Sequence, residues 1–389
     1  MKILVTLSAL AAVAALGAGD ATAQGPDIER AQAAFADDVH ADAGLTCTAC
    51  HAGQATPMSP PRTDIARSCA TCHSNAAYMR NFAPQIRVDQ LAQYMTSVHG
   101  RRMAEGEDRV ATCSDCHGAH GIRRVADSRS PVAPLNQAAT CAVCHADAEH
   151  MAPFGVPPTP VADWMASVHA AALLKRGDTS APTCSTCHGS HGAAPPGVES
   201  VVNVCGQCHV REAELFRASP KNDIFAVMGQ PECLVCHENH RIESPGDDWI
   251  GVTGDAVCAL CHDDGMNGIV TIDAVRGHLD TLSTAISAAD DTLMGAERAG
   301  MLVDEGRAAL REARESRINA RVLVHAFAEP PVAAVTGPGI DAAMRAETTG
   351  RQALQELQYR RRGLGIATVL LVGFLVTLWL KIRSLPDHD

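Results

Sequence analysis

Sixteen cysteines constrain this chain more than any other feature of its sequence. They form eight pairs with two residues between the partners, and a histidine directly follows each pair. The pairs are Cys47/Cys50, Cys69/Cys72, Cys113/Cys116, Cys141/Cys144, Cys184/Cys187, Cys205/Cys208, Cys233/Cys236 and Cys258/Cys261. The histidines that complete these CxxCH motifs are His51, His73, His117, His145, His188, His209, His237 and His262. No cysteine lies outside a motif, so a single kind of chemistry accounts for all of them.

Three kinds of site use paired cysteines. Disulfide frameworks and zinc ribbons are two of them, but neither requires a histidine after every pair. Covalent haem attachment does, because the two thiols add to the vinyl groups of one porphyrin and the following imidazole binds the iron. The motifs therefore predict eight haem c groups, attached through the sixteen cysteines, with the eight motif histidines as proximal iron ligands.

The composition also argues against an ordinary side-chain core. Aromatic residues make up only 3% of the 389-residue chain, and all eight motifs lie between residues 47 and 262. Flat cofactors would fill the interior that aromatic side chains usually fill. We therefore predict a mainly α fold with extensive loop, organised by stacked haems and followed by a long helical hairpin and a C-terminal transmembrane helix.

The N-terminal end has the pattern of a secretory signal. Residues 1–23 combine Lys2, an apolar stretch and the small-residue site Ala21-Thr22-Ala23. An uncleaved N-terminal anchor is the alternative. Residues 24–269 would then form the haem-binding domain, and residues 270–358 a helical stalk. We expect breaks in the stalk at Glu329-Pro330-Pro331 and at a Gly337-Pro338-Gly339 turn.

The C-terminal end predicts a membrane anchor within residues 359–382. Residues 363–380 carry no charge, and this length just spans a hydrocarbon core. A buried helix of a soluble protein is the alternative, but Tyr359 and Trp379 stand where interfacial aromatic residues are typical. Arg360 to Arg362 oppose the positive-inside tendency. Haem c attachment outside the cytoplasmic membrane nevertheless favours a single-pass inner-membrane protein with a periplasmic haem domain and a cytoplasmic tail at 383–389.

An internal repeat appears when residues 69–145 are laid beside residues 141–209. Both contain a CxxCH motif, a short helix that ends in Ser-Val-His, a CxxCH-Gly-x-His-Gly element and a further CxxCH motif. The Ser-Val-His histidines are His99 and His169. A third, degenerate copy begins at Cys205 and has Ser219-Pro220-Lys221 in place of Ser-Val-His.

The remaining histidines decide whether each iron has a second protein ligand. We set aside His388, in the predicted tail, and His150, which has no repeated counterpart. The candidates for the distal position are then His40, His99, His120, His169, His191, His240, His278 and His325. Lys221 is the alternative, because a neutral amine can bind iron. We favour His278 and a solvated lysine.

The net charge of −12 disfavours nucleic acid as a partner and suits a basic or small redox partner.

The CxxCH-Gly-x-His-Gly and Ser-Val-His elements make residues 40–262 resemble the superfamily of multihaem c-type cytochromes, which includes tetrahaem electron-transfer cytochromes and octahaem oxidoreductases. The resemblance implies closely packed, mostly bis-histidine haems. It also implies electron transfer between membrane or quinone-linked donors and periplasmic or extracellular acceptors. Redox proteins are the expected partners, and a quinone-linked membrane complex is one candidate.

An enzyme of the same superfamily is the second hypothesis. Its octahaem oxidoreductases act on nitrite, hydroxylamine or tetrathionate at one haem with a non-histidine or open distal site. Against it, the chain has no CxxCK motif. Lys221 is the one feature in its favour, and we expect an electron carrier rather than an enzyme.

Overall fold

The computed structural model describes residues 25–51, 61–196, 201–263, 265 and 268–384. The predicted signal peptide lies outside the described residues, as does most of the predicted tail. The fold is mainly helical, with long loops between short helices and no strand among the described residues, as predicted.

Most helices in the motif region are only one to three turns long. In chain order the α-helices are α1 (Gly25–Phe35), α2 (Val39–Asp42), α3 (Arg62–His73), α4 (Ala76–Met79), α5 (Gln90–Thr96), α6 (Val98–Ala104), α7 (Cys113–His117), α8 (Pro134–His145), α9 (Ala148–Met151), α10 (Pro160–Met165), α11 (Val168–Ala170), α12 (Cys184–His188), α13 (Val201–Cys205), α14 (Val210–Ala218), α15 (Pro220–Met228), α16 (Leu234–His237), α17 (Ile269–Arg298), α18 (Asp304–Leu323) and α19 (Glu329–Arg383). Short 3₁₀ turns cover Cys47–Ala49, Ala152–Phe154, Asp247–Trp249, Val257–Leu260 and Val324–Ala326, and a π-helix covers Ala171–Lys175.

The chain divides into two compact units. The first comprises Met1–Pro158 and Thr183–Ala194 and carries the first five motifs. Its buried apolar side chains include Met79, Tyr94 and Met151, set among short helices. The Tyr94 hydroxyl donates to the Ala111 carbonyl at 2.9 Å, which ties α5 to the chain just before the third motif.

The second unit comprises Thr159–Pro182 and Pro195–Asp389 and carries the last three motifs together with the long helices. A small core of Val202, Ala213, Phe216 and Phe225 joins α13, α14 and α15 near the sixth and seventh motifs. The Arg321 guanidinium donates to Asp247 at 2.7 Å and so fixes the loop after the seventh motif to α18.

Helices α17 and α18 are the predicted pair of long helices, and α19 packs against both to complete a three-helix bundle. Their shared core is unusually rich in alanine, and Leu282, Leu293 and Leu310 are its largest fully buried members. Small residues allow the helices to approach closely. A Cβ added to Gly339 would lie 2.6 Å from Cβ of Ser316, so that position accepts only glycine without movement.

The predicted break at Gly337-Pro338-Gly339 is wrong. Helix α19 runs through this sequence without interruption, with Pro338 inside it. The breaks occur instead around Gly300, which has φ +81°, and around Phe327, which has φ +50°. Pro330 and Pro331 lie at the start of α19, where the missing N–H group has no intrahelical partner to lose, so the other predicted break is confirmed.

The end of α19 is the one helix, among those described, that is long and apolar enough to cross a membrane. None of its apolar window is buried against the rest of the protein. A core helix of a soluble protein would be mostly covered, so the exposed segment supports a single-pass membrane anchor.

Candidate functional site

Two of the motifs fold as single helical turns with the same cap. Thr112 precedes α7 and Thr183 precedes α12, and each N-cap backbone N–H donates to a side chain three residues later. Gly118 and Gly189 follow the motif histidines with φ near +86° and +81°, values that glycine adopts without a steric penalty. The chain therefore turns sharply after each motif.

The seventh motif makes the same turn without glycine. Glu238 follows His237 with φ 59° and ψ −170°, a backbone region that is essentially restricted to glycine. A residue held there stores strain of about 1–3 kcal/mol.

A second repeated element places basic side chains near these motifs. We call it the ligand segment: a residue that caps a helix, the first helical residue, and then a histidine or lysine. The four copies are Asp38-Val39-His40, Ser97-Val98-His99, Ser167-Val168-His169 and Ser219-Pro220-Lys221. In each copy the capping side chain accepts a backbone N–H of its helix and is almost fully buried. The third residue is therefore held in a fixed position.

Three ligand segments are also tied to a distant loop. In each, the valine N–H donates to a backbone carbonyl at 2.9–3.0 Å, and that carbonyl lies two residues beyond His120, His191 or His240. The bonds run from Val39 to Ile122, from Val98 to Ala193 and from Val168 to Ile242. Pro220 has no N–H, so the fourth segment lacks this bond.

Six motif histidines lie beside a second histidine at a nearly constant spacing. The distances between ring centroids are 6.0 Å for His73 with His40 and for His51 with His120, 6.1 Å for His145 with His99, for His117 with His191 and for His237 with His325, and 6.4 Å for His209 with His169.

This spacing fits an iron between two imidazoles. A metal–imidazole bond is about 2 Å long, so two rings on opposite sides of one metal have centroids roughly 6 Å apart. The paired thiols of the same motifs supply the attachment points for a porphyrin. The residues present therefore fit the haem that the motifs predict.

Burial favours the metal-binding form of three of these rings. Burial, with a smaller contribution from the facing histidine, lowers the pKa of His73, His99 and His237, which favours neutral imidazole. Other ring nitrogens are occupied: His40 Nδ1 bonds Asp38 at 2.8 Å, and His325 Nδ1 bonds the Val322 carbonyl at 2.9 Å. Such bonds leave Nε2 as the available ligand atom.

A family model described as cytochrome c3 matches residues 39–146 and 178–263 of the chain. The two matched ranges contain all eight CxxCH motifs. This chain is a multihaem c-type cytochrome. No curated protein and no solved structure matches it.

Thiols from different motifs of the cytochrome lie in contact. The thiols of Cys69 and Cys113, the first cysteines of the second and third motifs, lie close enough to interact, and so do those of Cys141 and Cys184 in the fourth and fifth motifs. In the second unit, Cys205 and Cys233 of the sixth and seventh motifs form the same contact. Consecutive attachment points are thus neighbours in space within each unit.

Three further predicted attachment points are Cys72, Cys187 and Cys208. They are the second cysteines of the second, fifth and sixth motifs. Cys72 is half-buried and lies within hydrogen-bonding reach of the Tyr78 hydroxyl, whereas Cys187 and Cys208 are exposed. The assignment of Cys72, Cys187 and Cys208 therefore stays a prediction that rests on the CxxCH spacing.

The eighth motif of the cytochrome has a different partner. Lys221 Nζ lies 3.0 Å from His262 Nε2. The ammonium also lies 6.0 Å from the centre of the Phe327 ring. The side chain is half-buried rather than fully solvated, contrary to the prediction of a solvated lysine.

His278, the predicted distal ligand for this position, lies elsewhere. Its Nε2 bonds the Glu329 carboxylate at 2.8 Å, which links α17 to the start of α19. The structure therefore contradicts the placement of His278 at a motif histidine. The physical reason is the register of α17, which directs residue 278 towards Glu329.

The roles of the other candidates stay predictions. His188 Nδ1 bonds the Ala194 carbonyl at 3.1 Å, which orients this proximal ring. His240 lies in the second unit and stays a predicted distal ligand. His150 contacts Phe154 at 6.0 Å between ring centroids, and we keep it outside the set of predicted ligands.

The sequence reasoning missed one copy of the ligand segment. We placed His40 among the candidates only because it precedes the first motif. Its resemblance to His99 and His169 lies in the cap, because aspartate and serine are both favoured N-cap residues. A search for a capping residue, valine and histidine would have found it.

Proposed function

We propose that this multihaem cytochrome is an octahaem electron-transfer protein, held in the cytoplasmic membrane by one helix with its haem domain in the periplasm. The observation that supports it best is the pairing of motif histidines with a second nitrogen donor. An iron held on both sides by protein ligands has no open position for a substrate. Each such site is therefore suited to electron transfer.

The sixteen cysteines would attach eight haems, and the eight motif histidines would be their proximal ligands. When bound, each haem supplies one-electron redox chemistry. The protein's part is to hold the irons rigidly and to set their environment. The buried caps and the bonds from Asp38 and Val322 to the ligand rings do this. The thiol contacts between consecutive motifs support short distances between sites within each unit.

The length of α19 bears on the choice of partner. Residues 329–362 of α19 precede the uncharged segment 363–380, and 34 helical residues span roughly 50 Å. A quinone inside the bilayer is therefore remote from the site at His237 and His325. We infer that a redox protein passes electrons to or from this domain. A quinone-linked membrane complex with a domain outside the bilayer is the candidate donor, and the acceptor is periplasmic or extracellular.

A second function has one observation in its favour. The lysine beside His262 gives one site a partner other than histidine, and an octahaem oxidoreductase for nitrite, hydroxylamine or tetrathionate would need such a site. The six histidine pairs favour the electron carrier.

Direct measurements on the purified protein distinguish the two functions. We expect mass spectrometry of the intact protein to find eight haems, and electron paramagnetic resonance of the oxidised protein to show only low-spin ferric haem. Electrons supplied by dithionite should remain in the protein when nitrite, hydroxylamine or tetrathionate is added. A high-spin signal together with rapid reoxidation by one of these compounds would establish the enzyme instead.

A further inference from the structure

We propose that Lys221 is the distal axial ligand of the haem attached at Cys258 and Cys261, opposite His262. The site then has one amine and one imidazole ligand, whereas the six histidine pairs give bis-imidazole sites. The proposal rests on the proposed function to the extent that it requires a haem at the eighth motif.

The first argument is position within the ligand segment. Lys221 is the second residue of α15, directly after the Ser219 cap and Pro220. His40, His99 and His169 hold the same position after Asp38, Ser97 and Ser167. The Ser219 side chain accepts the Lys221 backbone N–H at 3.2 Å and donates to the Phe216 carbonyl at 2.7 Å. The backbone that presents the lysine is thus built like the backbone that presents each histidine.

The second argument is the choice of partner. In each of the first three segments the histidine faces the second motif that follows it in the chain: His40 faces His73, His99 faces His145, and His169 faces His209. After Lys221 the second motif is the eighth, which ends in His262. The contact of Lys221 with His262 follows the same rule.

The third argument concerns the room for an iron between Lys221 and His262 and the other groups that could compete for either ligand position. An iron between two nitrogens needs about 4 Å from one to the other, since each bond is about 2 Å long. Lys221 Nζ is now 3.0 Å from Nε2, and its flexible four-carbon stem permits the extra separation. Among the described residues no carboxylate forms an ion pair with Lys221. His278, the rival ligand, is engaged by Glu329.

The test uses the full-length protein, purified from membranes with its haems. Electron paramagnetic resonance of the oxidised protein counts high-spin haems, and mass spectrometry of the peptide with Cys258 and Cys261 confirms that this motif carries haem. We expect Lys221→Ala to convert one haem from low to high spin and Lys221→His to restore a fully low-spin spectrum. His278→Ala is the matched control and should leave the spectrum unchanged.

A Lys221→Ala spectrum identical to that of the unmodified protein would overturn the proposal, as would a high-spin haem produced by His278→Ala. Near-infrared magnetic circular dichroism of the unmodified protein decides the question if the variant loses haem or does not fold. One amine–imidazole haem is then expected, and a spectrum of bis-imidazole haems alone would refute it. An unmodified eighth motif without haem would instead contradict the proposed count of eight.

Discussion

The ligand segments show how single side chains hold a redox site in a protein with few aromatic residues. Asp38 is 1% exposed, and its two oxygens serve different groups. Oδ1 accepts the backbone N–H of His40 and bonds its Nδ1 at 2.8 Å, while Oδ2 accepts the Ile122 N–H at 2.7 Å. One carboxylate thus caps the helix, orients the imidazole and ties in a distant loop.

Removal of this negative charge should alter the redox site of the second motif. A carboxylate that accepts the Nδ1 proton makes the imidazole a better donor and stabilises the oxidised iron. We expect Asp38→Asn to raise the reduction potential of one haem by about 60 mV, equivalent to a tenfold change for one electron. Potentiometric titration followed by visible absorbance measures it.

Asp37→Asn is the control for this experiment. Asp37 is adjacent in sequence but exposed, and it pairs with Arg123 at the surface. Its replacement should leave all potentials within error. An equal shift in both variants would show that general surface charge, rather than the bond to His40, is responsible.

The strain at Glu238 gives a second prediction. Since glycine adopts this backbone conformation freely, Glu238→Gly should raise the free energy of unfolding by about 1–3 kcal/mol. Urea denaturation followed by circular dichroism measures the change. Glu238→Ala removes the side-chain charge but keeps a Cβ, so it should give no comparable gain. Equal stabilisation by both variants would trace the effect to the carboxylate instead.

At the residue scale the sequence supplied the candidate ligands, and the structure changes our preference at one site. The CxxCH motifs and the residues His99, His120, His169, His191 and His325 were found as candidates because their types and spacing are distinctive. Between His278 and Lys221 the sequence analysis favoured His278 because histidine is the commoner iron ligand. The contact of Lys221 with His262, together with its position in the repeat, supports the lysine.

Among the elements, the three-helix bundle depends on residues that have almost no side chain. Gly306, Gly339 and Gly350 lie where a Cβ would come within 3 Å of a neighbouring helix. Ala289, Ala313, Ala342 and other alanines of the same core are fully buried. Close backbone approach therefore replaces the large apolar side chains of an ordinary bundle.

Two glycines of α19 allow the effect of packing on stability to be measured apart from the effect of helix propensity. Gly339→Ala should lower the free energy of unfolding by about 1–3 kcal/mol, because its Cβ would overlap Ser316 and crowd Leu282. Gly337 has open space around it, and Gly337→Ala should be neutral or stabilise by up to about 1 kcal/mol. Thermal unfolding followed by far-ultraviolet circular dichroism compares them. Similar losses in both variants would contradict the packing argument.

The same glycines explain why the sequence predicted a break in α19 that the structure does not have. Gly337-Pro338-Gly339 has the composition of a turn, and local propensity favours a break there. Tertiary packing overrides it, since Gly339 is the point at which α19 meets α18. The amphipathic pattern of α17 and α18 predicted helices, but it carried no information on how the chain after them would pack.

For the whole molecule, α19 joins the bundle to the membrane without interruption. Its packing contacts extend to Leu354, and the segment from Tyr359 onwards is exposed. The part of α19 that packs in the bundle and the part that would lie in the membrane are therefore separate segments of one helix.

Removal of the anchor should release the cytochrome. We expect a chain that ends at Gln358 to appear in the soluble fraction with the same haem content and visible spectrum as the full-length protein. A chain that ends at Ser384 keeps the apolar window and should remain with the membranes. Membrane fractionation followed by haem staining compares them. Retention of the shorter chain in the membrane fraction would show that another segment anchors it.

The contacts of the ligand segments connect motifs that are not adjacent in the chain, and this limits how a motif can be lost. Each of the four segments serves the second motif ahead, while His120 and His191 serve the first and third motifs, which lie two motifs back. Each of these motif histidines faces one partner, so deletion of a single motif would leave that partner without an iron at another place in the chain. The loss of one motif therefore disturbs a second segment of the chain that lies beyond the neighbouring motif.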